Sequence, residues 1–298
     1  MLSVITVIRT VMLIVTWPCG TILNSSIITV YLSDWKKGVK LGECDQISLS
    51  MGCNNLLFQC VIAFLEAFIS YGLYSPIAEI AIYVVNNVAF FSFCFSFWLT
   101  AGLSICYCLR LVHFSLKFFI QLKRRLTRTV IQLLLCSVAI LFMITLFIST
   151  TIWISYREGN QNITAIYHDN MSNAGFNYMT IAVTVGICLP FLITSICILL
   201  SVISLLKHIW RMKQNTQFGN PQLKNLIRAC RTMILLLAQN FLSFLIFFTS
   251  MIAPNTTGTI WDMVFLLGIL LNPSSQAIIL IFGNSKLLSA WRNTLLPQ

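Results

Sequence analysis

Long apolar runs are the feature that most limits how this chain of 298 residues can fold. A helix needs about 20 consecutive residues to cross a hydrocarbon layer of about 30 Å. Seven runs meet this length requirement and are the predicted spans 1 to 7, at 4–31, 46–69, 79–109, 129–152, 178–206, 229–252 and 260–282. Span 2, at 46–69, is the weakest, because Asn54, Asn55 and Gln59 interrupt its apolar run, and a six-span alternative would omit it.

The composition indicates that lipid, not water, surrounds most of these runs. Hydrophobic residues make up 58% of the chain and charged residues only 9%, whereas soluble domains carry about 25% charged residues. The mean hydropathy of +0.86 argues against a soluble domain with a single membrane anchor, and the sequence contains no long polar segment that could form such a domain. We therefore expect residues 1–298 to form one all-α integral membrane domain, a seven-transmembrane-helix bundle.

Basic residues fall almost entirely on one side of the predicted membrane. Of the 19 lysines and arginines, 17 lie near the connections between spans 1 and 2, 3 and 4, and 5 and 6, or after span 7. Only Arg9 and Arg157 lie on the opposite side. Because positive residues concentrate on the cytosolic side, the N-terminus is predicted outside and the C-terminus in the cytosol. The sorting also favours keeping span 2, and it explains the net charge of +11 without nucleic acid.

Neither the cysteines nor the histidines form a recognisable chemical site. Ten of the 11 cysteines lie within or at the ends of predicted spans, and Cys44 lies in a predicted cytosolic loop. We interpret them as packing residues with reduced thiols. The 3 histidines are scattered between both predicted surfaces, and no spacing is typical of a metal site. We expect no metal, no cofactor and no enzymatic activity.

The predicted outer loop between spans 4 and 5 carries two N-glycosylation triplets. They begin at Asn162 and Asn170, on the side that the charge sorting assigns to the lumen during synthesis. We therefore predict that this loop is glycosylated at these two asparagines.

Span 3 ends in the most informative motif of the chain, Trp-Leu-Thr-Ala-Gly-Leu-Ser-Ile-Cys-Tyr-Cys-Leu-Arg at 98–110, which continues to Ser115. Further motifs are Leu-Pro-Phe at 189–191, Ser-Leu-Leu-Lys-His at 204–208, Arg-Ala-Cys-Arg-Thr-Met at 228–233 and Ile-Phe-Gly-Asn-Ser-Lys-Leu at 281–287. In these motifs the chain resembles the type 2 taste receptors, the bitter taste branch of the G-protein-coupled receptors. It is identified as a divergent member of that family.

The resemblance implies a sensory receptor in the plasma membrane. Its expected partners are a small organic bitter agonist, bound among helices 2, 3, 5, 6 and 7 in the outer half of the bundle, and a heterotrimeric G protein of the gustducin type. Membrane lipid is a further partner, no nucleic acid is expected, and homo-oligomers are left open. The chain departs from the family's Arg, Asn-His and His at Asn55, Phe93-Cys94 and Gln276, so the family's ligand contacts at these positions are left open.

The spacing along span 3 predicts one wall of the ligand site. Residues three and four apart share a helix face, and aromatic and amide residues recur at this spacing from the outer end. Carboxylates on spans 2 and 7 are expected at comparable depth, which suits an amphipathic agonist with one basic nitrogen. Plain packing is the alternative for each phenylalanine. The predicted ligand residues are Glu66, Asn86, Asn87, Phe90, Phe93, Phe97 and Asp262.

The G-protein contacts are predicted at the cytosolic ends of spans 3, 5 and 6. Binding of anionic lipid is the alternative role for the basic residues among them. The predicted contacts are Tyr107, Arg110, His113, Phe114, Lys207, His208, Arg211, Arg228 and Arg231.

Two other classes of membrane protein remain as alternatives. A vomeronasal-type pheromone receptor shares the topology but usually carries an outer cysteine pair, which this sequence lacks. A small transporter or channel is disfavoured, because the sequence places no ionisable residue at mid-membrane and shows no evident pair of broken helices.

Overall fold

A computed structural model describes residues 4–71, 76–111, 132, 135–143, 145–146, 180–214, 221–252 and 260–295. Apart from short connections, these residues are helical. A π-helical turn at Thr184–Cys188 leads directly into the fifth helix. The helices are α1 (Val4–Lys36), α2 (Glu43–Tyr71), α3 (Pro76–Leu111), α4 (135–143), α5 (Leu189–Gln214), α6 (Pro221–Ile252), α7 (Ile260–Gly283) and α8 (Ser285–Leu295).

Six helices in the described part of the chain are long and apolar enough to span a membrane, which confirms a helical membrane bundle. They correspond to predicted spans 1, 2, 3, 5, 6 and 7. Predicted span 4, at 129–152, lies mostly outside the described residues, and α4 is its longest described part. The count of seven and the orientation of the termini therefore stay predictions.

The polar residues that interrupt span 2 all face the interior of the bundle. Asn54 Nδ2 donates to the backbone oxygen of Ser92 at 3.0 Å, and Asn55 Nδ2 donates to Asn24 Oδ1 at 3.0 Å. Gln59 Nε2 donates to a backbone carbonyl of α1 at 2.9 Å. Because lipid cannot satisfy amides, these bonds across helices explain why α2 tolerates three of them.

The position of Cys44 and the start of α6 differ from the sequence-based expectation. Cys44 was expected in a loop, which is wrong, because it lies in the first turn of α2 and is buried against α1 and α3. Helix α6 begins at Pro221, earlier than the apolar run at 229, because a proline suits the first turn of a helix and polar residues extend the helix beyond the apolar run.

The described residues form three buried clusters, and the two larger ones lie toward opposite ends of the bundle. One is mainly aliphatic and includes Ile27, Met51 and Leu103, at the end where α8 begins. The other is mainly aromatic and joins Phe58 of α2 to Phe93 of α3, at the end where α1 and α7 begin. The cavity described below lies within the aromatic end.

Candidate ligand-binding site

A cavity of about 430 Å³ lies between α1, α2, α3, α6 and α7. It is at the end of the bundle where α1 and α7 begin and α2 ends. The structure brings six of the seven predicted ligand residues to its lining, namely Glu66, Asn86, Asn87, Phe90, Phe93 and Asp262.

Phe97, the seventh predicted residue, does not line the cavity. It is only 2% exposed and packs edge-on against Phe93, with ring centroids 5.3 Å apart. Phe97 lies one helical turn beyond Phe93 from the start of α3, so it supports the wall from beneath.

Aromatic rings from three helices form most of the apolar surface. Phe247 of α6 packs against Phe93 at a centroid distance of 5.3 Å and against Phe90 at 6.0 Å. Phe58 of α2 lies 6.3 Å from Phe93, so Phe93 is the centre of the group. Centroid separations of 4.5–7 Å are favourable for aromatic pairs, and the rings therefore form a preformed wall.

Three charged side chains meet at one end of the cavity. Arg9 Nε lies 3.2 Å from Glu66 Oε2, and Arg9 Nη2 donates to Glu66 Oε1 at 3.4 Å. Arg9 Nη1 lies 3.8 Å from Asp262 Oδ2. The cluster therefore joins α1, α2 and α7 at the cavity, and its exposed side-chain fractions are only 19% for Arg9, 12% for Glu66 and 14% for Asp262.

Hydrogen bonds between amides and hydroxyls lie beneath the cavity. Gln276 Nε2 of α7 donates to Ser96 Oγ of α3 at 2.8 Å and to Asn240 Oδ1 of α6 at 3.2 Å. Ser243 Oγ and the Gln239 amide both donate to Asn272 Oδ1, at 3.1 and 3.0 Å. Ser243 and Asn272 also line the cavity, so the second set of bonds connects the lining to the packing of α6 against α7.

Sequence reasoning missed Arg9, Phe247, Ser243 and Asn272 as lining residues. Arg9 left one signal, because it is one of only two basic residues that lie outside the side predicted to be cytosolic. Phe247 left none, because α6 carries apolar residues on its lipid side as well as on its bundle side.

The predicted G-protein contacts that fall within the described residues lie at the opposite end of the bundle. Arg110 Nη2 lies 2.8 Å from Glu43 Oε2 at the start of α2, and its side chain is 50% exposed. Tyr107 packs against the aliphatic cluster and also against the cluster that joins α5 to α6. Lys207 and Arg231 are exposed and Arg228 is half-buried.

Several other predicted residues cannot be placed in the site. The backbone of His208 and Arg211 is helical within α5. His113 and Phe114, and the glycosylation sites Asn162 and Asn170, lie outside the described residues.

Comparison with known proteins gives a consistent result over nearly the whole chain. The family model described as taste receptor protein (TAS2R) matches residues 1–297. Taste receptor type 2 member 124 of Rattus norvegicus is 29% identical over 300 residues, covering 96% of this chain and 93% of that protein. Member 102 of the same species is 30% identical, with 91% and 83% covered. Member 9 of Homo sapiens is 27% identical, with 90% and 86% covered.

The similarity is spread along the chain and is not confined to one motif. It includes the end of α3, the start of α6 and the junction of α7 with α8, which carry the motifs first noted in the sequence. Together with the six membrane-length helices in the described ranges, this shows that the chain is a multi-pass membrane protein and belongs to the taste receptor type 2 family.

Proposed function

We propose that this chain is a bitter taste receptor of the G-protein-coupled class in the plasma membrane. A small organic agonist binds in the cavity, and the opposite end of the bundle then engages a heterotrimeric G protein of the gustducin type. The observation that carries the proposal is an aromatic cavity with a charged end, within a chain that matches the taste receptor family from 1 to 297.

The size and lining of the cavity favour an amphipathic agonist. Its volume of about 430 Å³ falls within the roughly 300–1,000 Å³ that is usual for ligand sites. Phe90, Phe93 and Phe247 supply apolar contact, while Glu66 and Asp262 provide negative charge at one end. A molecule with an apolar body and one basic nitrogen satisfies both parts of the lining.

Agonist binding makes or breaks no covalent bond. It favours one of two packings of the helices, and it does so only to the extent that the agonist binds that packing more tightly. Phe93 lines the cavity and packs against Phe97 beneath it, while Asn272 lines the cavity and accepts a hydrogen bond from Gln239. A ligand that displaces these two residues would change how α3, α6 and α7 pack.

The G-protein contacts are assigned to the end that carries Tyr107 and Arg110. Arg110 is half exposed, so it is accessible to a partner although Glu43 lies beside it. The exposed basic residues Lys207 and Arg231 also suit anionic membrane lipid, which attracts each such residue by about 1 kcal/mol.

The test is agonist-triggered calcium release in cells that express the receptor with a taste-type Gα. A panel of alkaloids, terpenoids and bile-acid-like compounds would identify an agonist. Phe90→Ala and Asn87→Ala should each shift its dose response to higher concentration. The loss of about 1.4 kcal/mol of contact energy gives about a tenfold shift.

Phe282→Ala is the matched control, because Phe282 does not line the cavity and is 62% exposed on the surface of the helix bundle. Surface expression is measured for every variant, and the control should respond like the wild type. If the agonist response is unchanged in both cavity variants, the agonist does not bind in this cavity. A response that persists without any Gα would favour a channel or transporter.

A further inference from the structure

Arg9 is the only described cation that lines the cavity, and it contacts both of the described carboxylates there. It approaches Glu66 through two nitrogens, at 3.2 and 3.4 Å, but approaches Asp262 through only one, at 3.8 Å. The guanidinium is thus held mainly by Glu66, and its contact with Asp262 is the weaker of the two.

All three of these contacts are long for a charged pair. Hydrogen bonds between a guanidinium and a carboxylate are usually about 2.7–2.9 Å, and the Arg110 to Glu43 contact at the other end of the bundle is 2.8 Å. Arg9 Nε and Glu66 Oε2 lie within ion-pair distance, yet each is buried without a hydrogen bond. A loosely held guanidinium can be displaced by another cation.

The charge of the cluster points to the same kind of competitor. One guanidinium faces two carboxylates, and these three side chains together carry one net negative charge when all are ionised. Phe265 lies one turn from Asp262 on α7 and also lines the cavity. A carboxylate beside aromatic rings is a favourable environment for an organic ammonium group, which the ring faces also attract.

We propose that Arg9 is a specificity-determining residue, a tethered competitor that a cationic agonist displaces from Asp262 while Glu66 retains it. The inference rests on the proposed function, because it names the agonist's charge and the carboxylate that receives it. Arg9 thereby sets how strongly the cavity prefers cations over neutral molecules of the same shape.

The test uses two probes of equal shape, benzyltrimethylammonium and its neutral carbon isostere neopentylbenzene. Each is titrated against the purified full-length receptor at constant ionic strength, and the affinity is read from the increase in Tm, since a ligand that binds the folded state stabilises it. Arg9→Met should bind the ammonium about tenfold more tightly and leave the affinity for neopentylbenzene unchanged. Arg9→Lys keeps the charge and should resemble the wild type.

The position of the nitrogen is tested in the Arg9→Met background, where the guanidinium of Arg9 no longer competes. Arg9→Met with Asp262→Asn and Arg9→Met with Glu66→Gln each leave one carboxylate, so their net charges match. The Asp262 variant should bind the ammonium about tenfold more weakly than the Glu66 variant. Equal affinities in the two double variants would overturn the assignment to Asp262.

An ammonium affinity that does not rise in Arg9→Met, or that is not measurable in that variant, would overturn the role of Arg9 as a competitor. Neither result would contradict the proposed function, which is tested by a different measurement. That measurement is the calcium response of Phe90→Ala and Asn87→Ala to an agonist of any charge.

Discussion

Gln276 lies within α7, where the type 2 taste receptor motif has a histidine, and its side chain is only 1% exposed. Its amide nitrogen bonds to Ser96 and Asn240, which belong to two other helices. An amide can occupy this position because its partners satisfy it where lipid could not. At the scale of single residues, this departure from the family motif is therefore compensated by hydrogen bonds within the bundle.

Replacing Gln276 with leucine should destabilise the receptor. The change removes the partner of Asn240 Oδ1 and leaves that buried acceptor without this bond, which costs about 1–3 kcal/mol. The unfolding temperature of the purified receptor should fall in Gln276→Leu. Leu271→Ile, on the exposed side of the same helix at 44% exposure, is the control and should not change it. Equal unfolding temperatures would mean that the network contributes nothing to stability.

The predicted ligand wall illustrates what residue spacing can and cannot provide. The three- and four-residue spacing on α3 was enough to predict that Asn86, Phe90 and Phe93 share one face, and all three line the cavity. The same reasoning placed Phe97 in the lining, whereas it packs beneath, because periodicity gives a face but not the depth at which the cavity ends. Arg9 was missed because no spacing within α1 indicates contact with α2 and α7.

At the scale of helices, hydropathy predicted the membrane-embedded parts better than the helix ends. The apolar run at 229–252 corresponds to the later part of α6, which begins at Pro221. Polar and basic residues continue a helix into the aqueous layer without adding to the apolar run. Likewise, the start of α2 at Glu43 was not apparent from an apolar run that begins later.

The absence of a side chain at Gly283 allows α6 and α7 to approach closely near the start of α8. A Cβ added at Gly283 would overlap the β-branched side chain of Thr232 on α6, including its Cγ2 at 2.6 Å and its Cβ at 3.0 Å. A β-branched side chain has little freedom to move away. Gly283→Ala must therefore separate the two helices or strain the contact.

We expect Gly283→Ala to lower the unfolding temperature of the purified receptor. Gly42→Ala is the matched control, because a Cβ at Gly42 meets its nearest atoms only at 3.7 Å, an ordinary contact distance. The two substitutions add the same single carbon, so a difference between them reports the close approach and not the loss of a glycine. If both variants unfold at the wild-type temperature, α6 and α7 adjust at no measurable cost.

At the scale of the whole molecule, the fold class follows from the apolar runs because the bilayer permits few alternatives. Backbone groups cannot remain unpaired in lipid, so apolar runs of this length must be helical. Sequence reasoning could not establish which face of each helix meets its neighbours, since the lipid-facing and bundle-facing sides of α6 are both apolar. The charge sorting addresses a different property, the orientation of the whole bundle.

The charge sorting predicts that the N-terminus lies outside the cell and the C-terminus in the cytosol. Because 17 of 19 basic residues lie on one predicted side, a tag placed after Gln298 should bind antibody only in permeabilised cells, whereas a tag before Met1 should bind it on intact cells. Glycosidase should increase the gel mobility of the wild type but not of the double variant Asn162→Gln with Asn170→Gln, since both triplets lie in one predicted outer loop. Antibody binding to the C-terminal tag on intact cells would reverse the bundle and place the proposed G-protein contacts outside the cell.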